Sequence, residues 1–185
     1  MKPSAPVAAL LIGSFAGSLV NVLAQEKPAP AADRASRPII RIPTALSLQE
    51  ARVIIEAAKT LVKAENGIAA VAVVDFNGNL VSFDSMDGTS LTSSRFALGK
   101  AKGAAALRQT TAESAEQQQS NPQRFHSALS ILGGEVMLIP GGFPLIVDNV
   151  IVGAVGSAGH RGDGDVRAVK AGIAAWKKYR QSKRQ

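Results

Sequence analysis

The sequence predicts an α+β domain: a five-stranded antiparallel sheet with helices on its faces. Three observations carry that expectation. Amphipathic helical patterns open and close the domain, over residues 48–62 and 166–176. Between them lie short apolar runs joined by turn-length links, which make antiparallel neighbours. No strand–helix–strand alternation repeats, which argues against a doubly wound parallel sheet. The expected order is α-β-β-α-(α)-β-β-β-α.

The first helix starts at Ser47-x-x-Glu50, a capping box in which each side chain satisfies an orphan backbone N–H. Leu48, Ala51, Ile55, Ala58 and Val62 give it one apolar face. Asn66-Gly67 ends it, with Gly expected at the left-handed position. Residues 69–75, AAVAVVD, read as a buried strand, and Asn77-Gly78 as a tight turn with positive φ at both residues. The partner strand covers 80–83. Residues 92–107 are Ala-rich and helical, with Ser93 or Ser94 as the cap. Residues 110–119 form a short polar helix, and RFHSALSIL a helical turn or covering loop. Three strands follow, at 135–139, 143–147 and 150–157, with turns at Pro140-Gly141-Gly142 and Asp148-Asn149. Val166, Val169, Ile173 and Trp176 share one face of a closing helix, with Asp163 or Asp165 at its start and cations at its end.

The chain has 185 residues, enough for one domain and a short appendage. Lys2, the apolar run Val7–Val20 and the small residues around Ala24 lay out a secretory signal peptide over residues 1–24. Gly13, Ser14, Gly17 and Ser18 interrupt that run, which is shorter than the ~20 apolar residues of a spanning helix. No stable membrane insertion is therefore expected after cleavage. Residues 25–44 are a Pro/Ala-rich flexible linker, 45–180 the folded domain, and 181–185 a basic tail. The expected location is periplasmic or secreted. There is no cysteine, which excludes thiolate catalysis, disulfides and cysteine metal sites. The net charge is +7, but five of the 21 Lys and Arg residues sit in the last ten positions. No basic stretch is interleaved with stacking aromatics, so no nucleic-acid partner is expected.

Several tempting motifs fail. Gly153–Gly159 is not G-x-G-x-x-G, and Val155 stands where a nucleophile elbow around Ser157 needs Gly. Arg161-Gly162-Asp163 is a tripeptide that chance supplies. Asp84 and Asp87 read as turn residues that bind local N–H groups rather than as an acid–base pair. The two histidines carry more. A haem site needs an imidazole nitrogen, an apolar slot and cations for the propionates. His126 has Arg124 and Phe125 beside it, and His160 follows a Gly-rich strand end and precedes Arg161.

The assembled stretches LSLQEARVIIEAA, AVAVVDFNGNLVSFDSMDG, SRFALGKAKGAA, IPGGFPLIVDNVIVGAVGSAG and DVRAVKAGIAAW resemble the GlcG/HbpS-like haem-binding family over about residues 45–176. Met86-Asp87-Gly88, Lys100-Ala101, Gly141-Gly142-x-Pro144 and Gly153-Ala154-x-Gly156-x-x-Gly159 occur in family order. The sequence departs from the common pattern at HRGDGD and in the residue before Met86. The resemblance implies an α-β-α domain that forms homo-oligomers and binds haem or a related tetrapyrrole. Sensing, sequestration or protection of haem would be its task. A haem-degrading or small-molecule enzyme, or a ligand-free structural oligomer, is the alternative. His126 and His160 are the candidate iron ligands, and Arg124, Arg161 and Lys100 the candidate propionate partners.

Overall fold

The computed structural model describes residues 45–183. The signal peptide and linker expected over 1–44 lie outside the described residues. Helix α1 spans Leu48–Ala64, strand β1 Ala70–Asp75, β2 Leu80–Ser85, and helix α2 Leu91–Leu107. Helices α3 (Thr111–Ser120) and α4 (Pro122–Ile131) follow, then β3 (Gly142–Val147), β4 (Val150–Ala158) and α5 (Gly164–Lys183). Helix α5 thus runs three residues into the basic tail.

The sheet has four strands, not five, in the order β2-β1-β4-β3, and every pair is antiparallel. Residues 135–139, expected as a strand, pair with none. They lie along α2 instead: the Met137 N–H donates to the Gly99 carbonyl at 2.9 Å. Two glycines make room for this. A Cβ at Gly99 would stand 3.1 Å from Met137 Cβ, and one at Gly103 2.8 Å from Leu138 Cδ2. Val136 and Leu138 are buried, so the apolar run reports a helix neighbour rather than a sheet neighbour.

Helices α1 and α5 cover one face of the sheet and α2 the other. The first layer is built from Ile54, Ile55, Val62, Val71, Val73, Leu145, Val155 and Trp176. The second is almost entirely alanine: Ala70, Ala72, Ala154 and Ala158 on the sheet meet Ala97, Ala101, Ala104 and Ala105 on α2. Covered on both sides, β1 loses the polar alternation of a half-exposed strand.

The turns differ in detail from expectation. Ser90, not Ser93 or Ser94, caps α2 by accepting from the Ser93 N–H. Asn66, not Gly67, takes the left-handed position after α1, with φ 53°. Of the Asn77-Gly78 pair only Gly78 has positive φ, and the Asp75 carboxylate organises that loop by accepting from the Asn77 and Asn79 N–H groups. The two-residue turn with both φ positive is Asp148-Asn149, between β3 and β4.

Glu50 pins α1 to α5. Its Oε2 closes the capping box with Ser47, and its Oε1 accepts from Trp176 Nε1 at 3.2 Å and Arg180 Nη1 at 2.6 Å. Burial pushes the carboxyl up, but the bonds from Ser47 and Trp176 and the Arg180 charge together hold it below its ordinary 4.5. We expect Glu50→Ala to cost about 2–4 kcal/mol in urea unfolding, because it leaves a buried indole N–H without an acceptor and opens the cap. A folded-state value below the unfolded one means this stabilisation is present above pH 4.5. It fades as pH falls below that value, so the gap between wild type and Glu50→Ala should narrow in acid melts.

Candidate functional site

The end of α1 and the start of α5 meet beside the end of β4, and the meeting is arranged around one imidazole. Helix α1 ends in a Schellman motif: the Gly67 N–H donates to the Val62 carbonyl at 2.8 Å and the Asn66 N–H to Lys63 at 3.0 Å. That turn presents Glu65 outward and brings Gly67 against His160. A Cβ at Gly67 would lie 2.5 Å from His160 Cε1 and Nδ1, and one at Gly164 would overlap Cδ2 and Cγ. Gly67 is therefore glycine because an imidazole ring lies on it, not because the helix ends there.

His160 is bonded at three atoms. Its backbone N–H donates to Asp165 Oδ1 at 3.0 Å. Its Nδ1 accepts from the Arg161 N–H at 3.1 Å, and its Nε2 meets Glu65 Oε2 at 2.6 Å. Arg167 grips the same carboxylate, Nε to Oε1 at 3.0 Å and Nη2 to Oε2 at 2.7 Å, and also pairs with Asp163. The bonds from Arg167 and His160 hold the Glu65 carboxyl down to about 2.

A cavity of about 930 Å³ opens over this cluster. Its walls come from the α1–β1 turn (Glu65 to Ile68), the α2 entry (Gly88 to Ser93) and the β4–α5 turn (Gly159 to Arg161), with Arg167 of α5. Ile68 is half-exposed in its wall. Thr89 also lines it, and Thr89 Oγ1 is buried without a hydrogen-bond partner. Among the described residues the Arg161 guanidinium has no hydrogen bond or ion pair. A second lobe of about 410 Å³, lined by Lys59, Lys63, Met86 and Asp87 among others, shares Gly67 and Ile68 with the first. Lys59 is engaged there by Asp84 and Glu56.

The structure does not bring the five sequence candidates together. His160 and Arg161 line the large cavity. Lys100 is only 2 % exposed, and its Nζ donates to the Ser157 carbonyl and to Asp165 Oδ2, each at 2.8 Å. Its charge is used inside the fold to hold Asp165, which in turn holds His160. His126 and Arg124 sit on α4, both exposed, with the Phe125 ring edge-on to His126 at 6.0 Å. Arg124 and Phe125 border a smaller cavity of about 270 Å³ between α3 and α4. Sequence reasoning missed Glu65, Arg167 and Lys63. Glu65 stands 95 residues from His160, so no local pattern could have joined them. Among the described residues no three His, Cys, Asp or Glu side chains converge as a metal cage. None of the described helices is long and apolar enough to cross a membrane.

The profile of the family described as haem degrading protein HbpS-like matches residues 46–174. The chain belongs to this family. Among solved structures, the HbpS-like chain is similar to PduOC in its complex with haem: 27% identity, TM-score 0.65, 71% of this chain and 94% of that one. It is likewise similar to a double mutant of Streptomyces reticuli HbpS, at 26% identity and TM-score 0.64, over 75% of this chain and 96% of that one. A Klebsiella pneumoniae protein, ORFY, shares the fold at 22% identity and TM-score 0.66, over 76% and 97% of the two chains. Among curated proteins nothing matches.

Proposed function

We propose that this HbpS-like protein is an exported haem-binding protein that takes the ring in the 930 Å³ cavity beside His160. The observation that carries the reading is the uncommitted Arg161 next to an imidazole on the wall of a cavity this large. Ligand pockets run to about 1,000 Å³. The residues present fit a flat, apolar, dianionic group. Ile68 offers an apolar surface, and Thr89 Oγ1 has no partner of its own. Arg161 would hold a propionate, and Lys63, in the adjoining lobe that shares Ile68, would be a second cation. Haem supplies an iron that takes an imidazole nitrogen. The membership of a family whose relative PduOC is a haem complex supports the same reading.

The test is haemin titration of the purified protein. We expect a shifted Soret band that saturates near one haemin per chain. Arg161→Ala should weaken binding about three- to tenfold, the worth of one charge-assisted contact at a partly exposed site. His160→Ala should lose the imidazole signature. If that signature is lost in His126→Ala instead, the iron sits on α4. If no form saturates, the reading fails.

The family description also names haem degradation. That second reading predicts loss of the Soret band with a reductant only when the protein is present. Export is proposed from residues 1–24, and N-terminal sequencing of the exported protein should start at Gln25. Self-association is proposed from α4, which has no buried residue and carries Ile131 at 85 % exposure. Light scattering should return a multiple of the chain mass.

A further inference from the structure

This inference rests on the haem reading above. An imidazole binds iron through a nitrogen lone pair, and His160 has none to spare. Nδ1 accepts the Arg161 N–H, so the proton of the neutral ring is on Nε2, where it is donated to Glu65. Glu65 cannot drift away, because Arg167 binds both of its oxygens. The ring cannot simply rotate, because Gly67 and Gly164 lie against it. We propose that Glu65 is a latch, a positioning residue that withholds Nε2 of His160 from iron and thereby sets how tightly the cavity takes haem.

The placement of the ring does not depend on the latch. The His160 backbone is fixed by Asp165, itself anchored by Lys100, and the ring faces are fixed by the two glycines. Removing the Glu65 carboxylate therefore frees Nε2 without moving the imidazole. Were Nε2 to bind a metal, the ring proton would pass to Nδ1 and the bond from the Arg161 N–H would open. That bond belongs to an exposed turn in which Gly162 has φ +61°. Arg161 is then free to follow an anionic group on the same ligand. The latch trades two hydrogen bonds for one iron–nitrogen bond and one charge contact, so it favours a ligand that brings both.

The experiment uses the full chain as wild type, Glu65→Ala, Glu65→Gln and Glu65→Ala with His160→Ala. Imidazole ¹⁵N spectra of the haem-free proteins should show the proton on Nε2 of His160 in wild type and a mixture of tautomers in Glu65→Ala. Haemin should bind Glu65→Ala about tenfold tighter than wild type, the scale of one charge-assisted hydrogen bond removed. Glu65→Gln, which keeps an acceptor without the charge, should fall between, and the double variant should lose the gain. Wild-type binding that Glu65→Ala leaves unchanged or weakens overturns the latch alone, as does a gain that survives the loss of His160 or a wild-type spectrum with the proton on Nδ1. Saturable binding in no form overturns the haem reading with it.

Discussion

Gly156→Val should leave the protein without a cooperative thermal transition. Gly156 lies in β4 where α2 crosses the sheet, and a Cβ there would stand 2.5 Å from the Ala101 nitrogen and collide with the Ala97 carbonyl. Both obstacles are helix backbone, and neither can swing aside as a side chain would. Gly142 repeats the arrangement one strand over: its Cβ would run into the Lys100 carbonyl and lie 2.6 Å from Thr111 Cγ2. Helix α2 is thus seated on two glycine positions of neighbouring strands. A valine lifts it off the sheet and uncovers the alanine layer behind it. Overpacking ordinarily costs about 1–3 kcal/mol; with no flexible partner to yield, about 4 kcal/mol or more is expected. Gly99→Ala makes the contrast. Its Cβ would meet Met137 Cβ at 3.1 Å, a far smaller overlap, so about 1 kcal/mol should suffice. Circular dichroism and calorimetry separate the two. A Gly156→Val protein melting at the wild-type temperature would show that α2 does not sit on β4 in this way.

Lys100→Met should be the costliest charge removal among the described residues, at about 3–5 kcal/mol. Breaking a buried pair leaves the other charge without compensation, and Asp165 would keep only the His160 N–H. The Ser157 carbonyl, buried in β4, would lose its ammonium donor too. Methionine fills nearly the same volume, so the loss is electrostatic rather than a cavity. Adding Asp165→Asn should recover about half of it, since an amide oxygen still accepts from His160 while no charge is stranded. Chemical denaturation of the single and double variants forms the cycle. A Lys100→Met protein within about 1 kcal/mol of wild type would mean that the ion pair is solvated.

Much of the architecture could be read from the chain because its cues are local. The Ser47–Glu50 box, the 3.6-residue spacing of Ala51, Ile55, Ala58 and Val62, and the apolar run at 70–75 each announce their own element. The 135–139 segment misled because a short apolar run between turn signals states that the chain is buried and not what buries it. Here the covering surface is α2, opened by Gly99 and Gly103. The site was legible only in part. His160 and Arg161 are adjacent in sequence and remain so in space. Lys100 reads as a propionate partner until Asp165, 65 positions on, is seen to hold it. Gly67 reads as punctuation after a helix until the His160 ring is found on top of it.

The two faces of the sheet respond to mutation in opposite senses. Where Ile, Val, Leu and Trp side chains fill the space under α1 and α5, trimming atoms opens holes and enlarging them is the lesser danger. Under α2 there is almost nothing to trim, and at Gly142 and Gly156 an added methyl must displace main chain. A saturation scan of β1 should therefore show a two-residue rhythm in the kind of change tolerated: positions 71 and 73 resist shrinkage, while 70 and 72 resist growth.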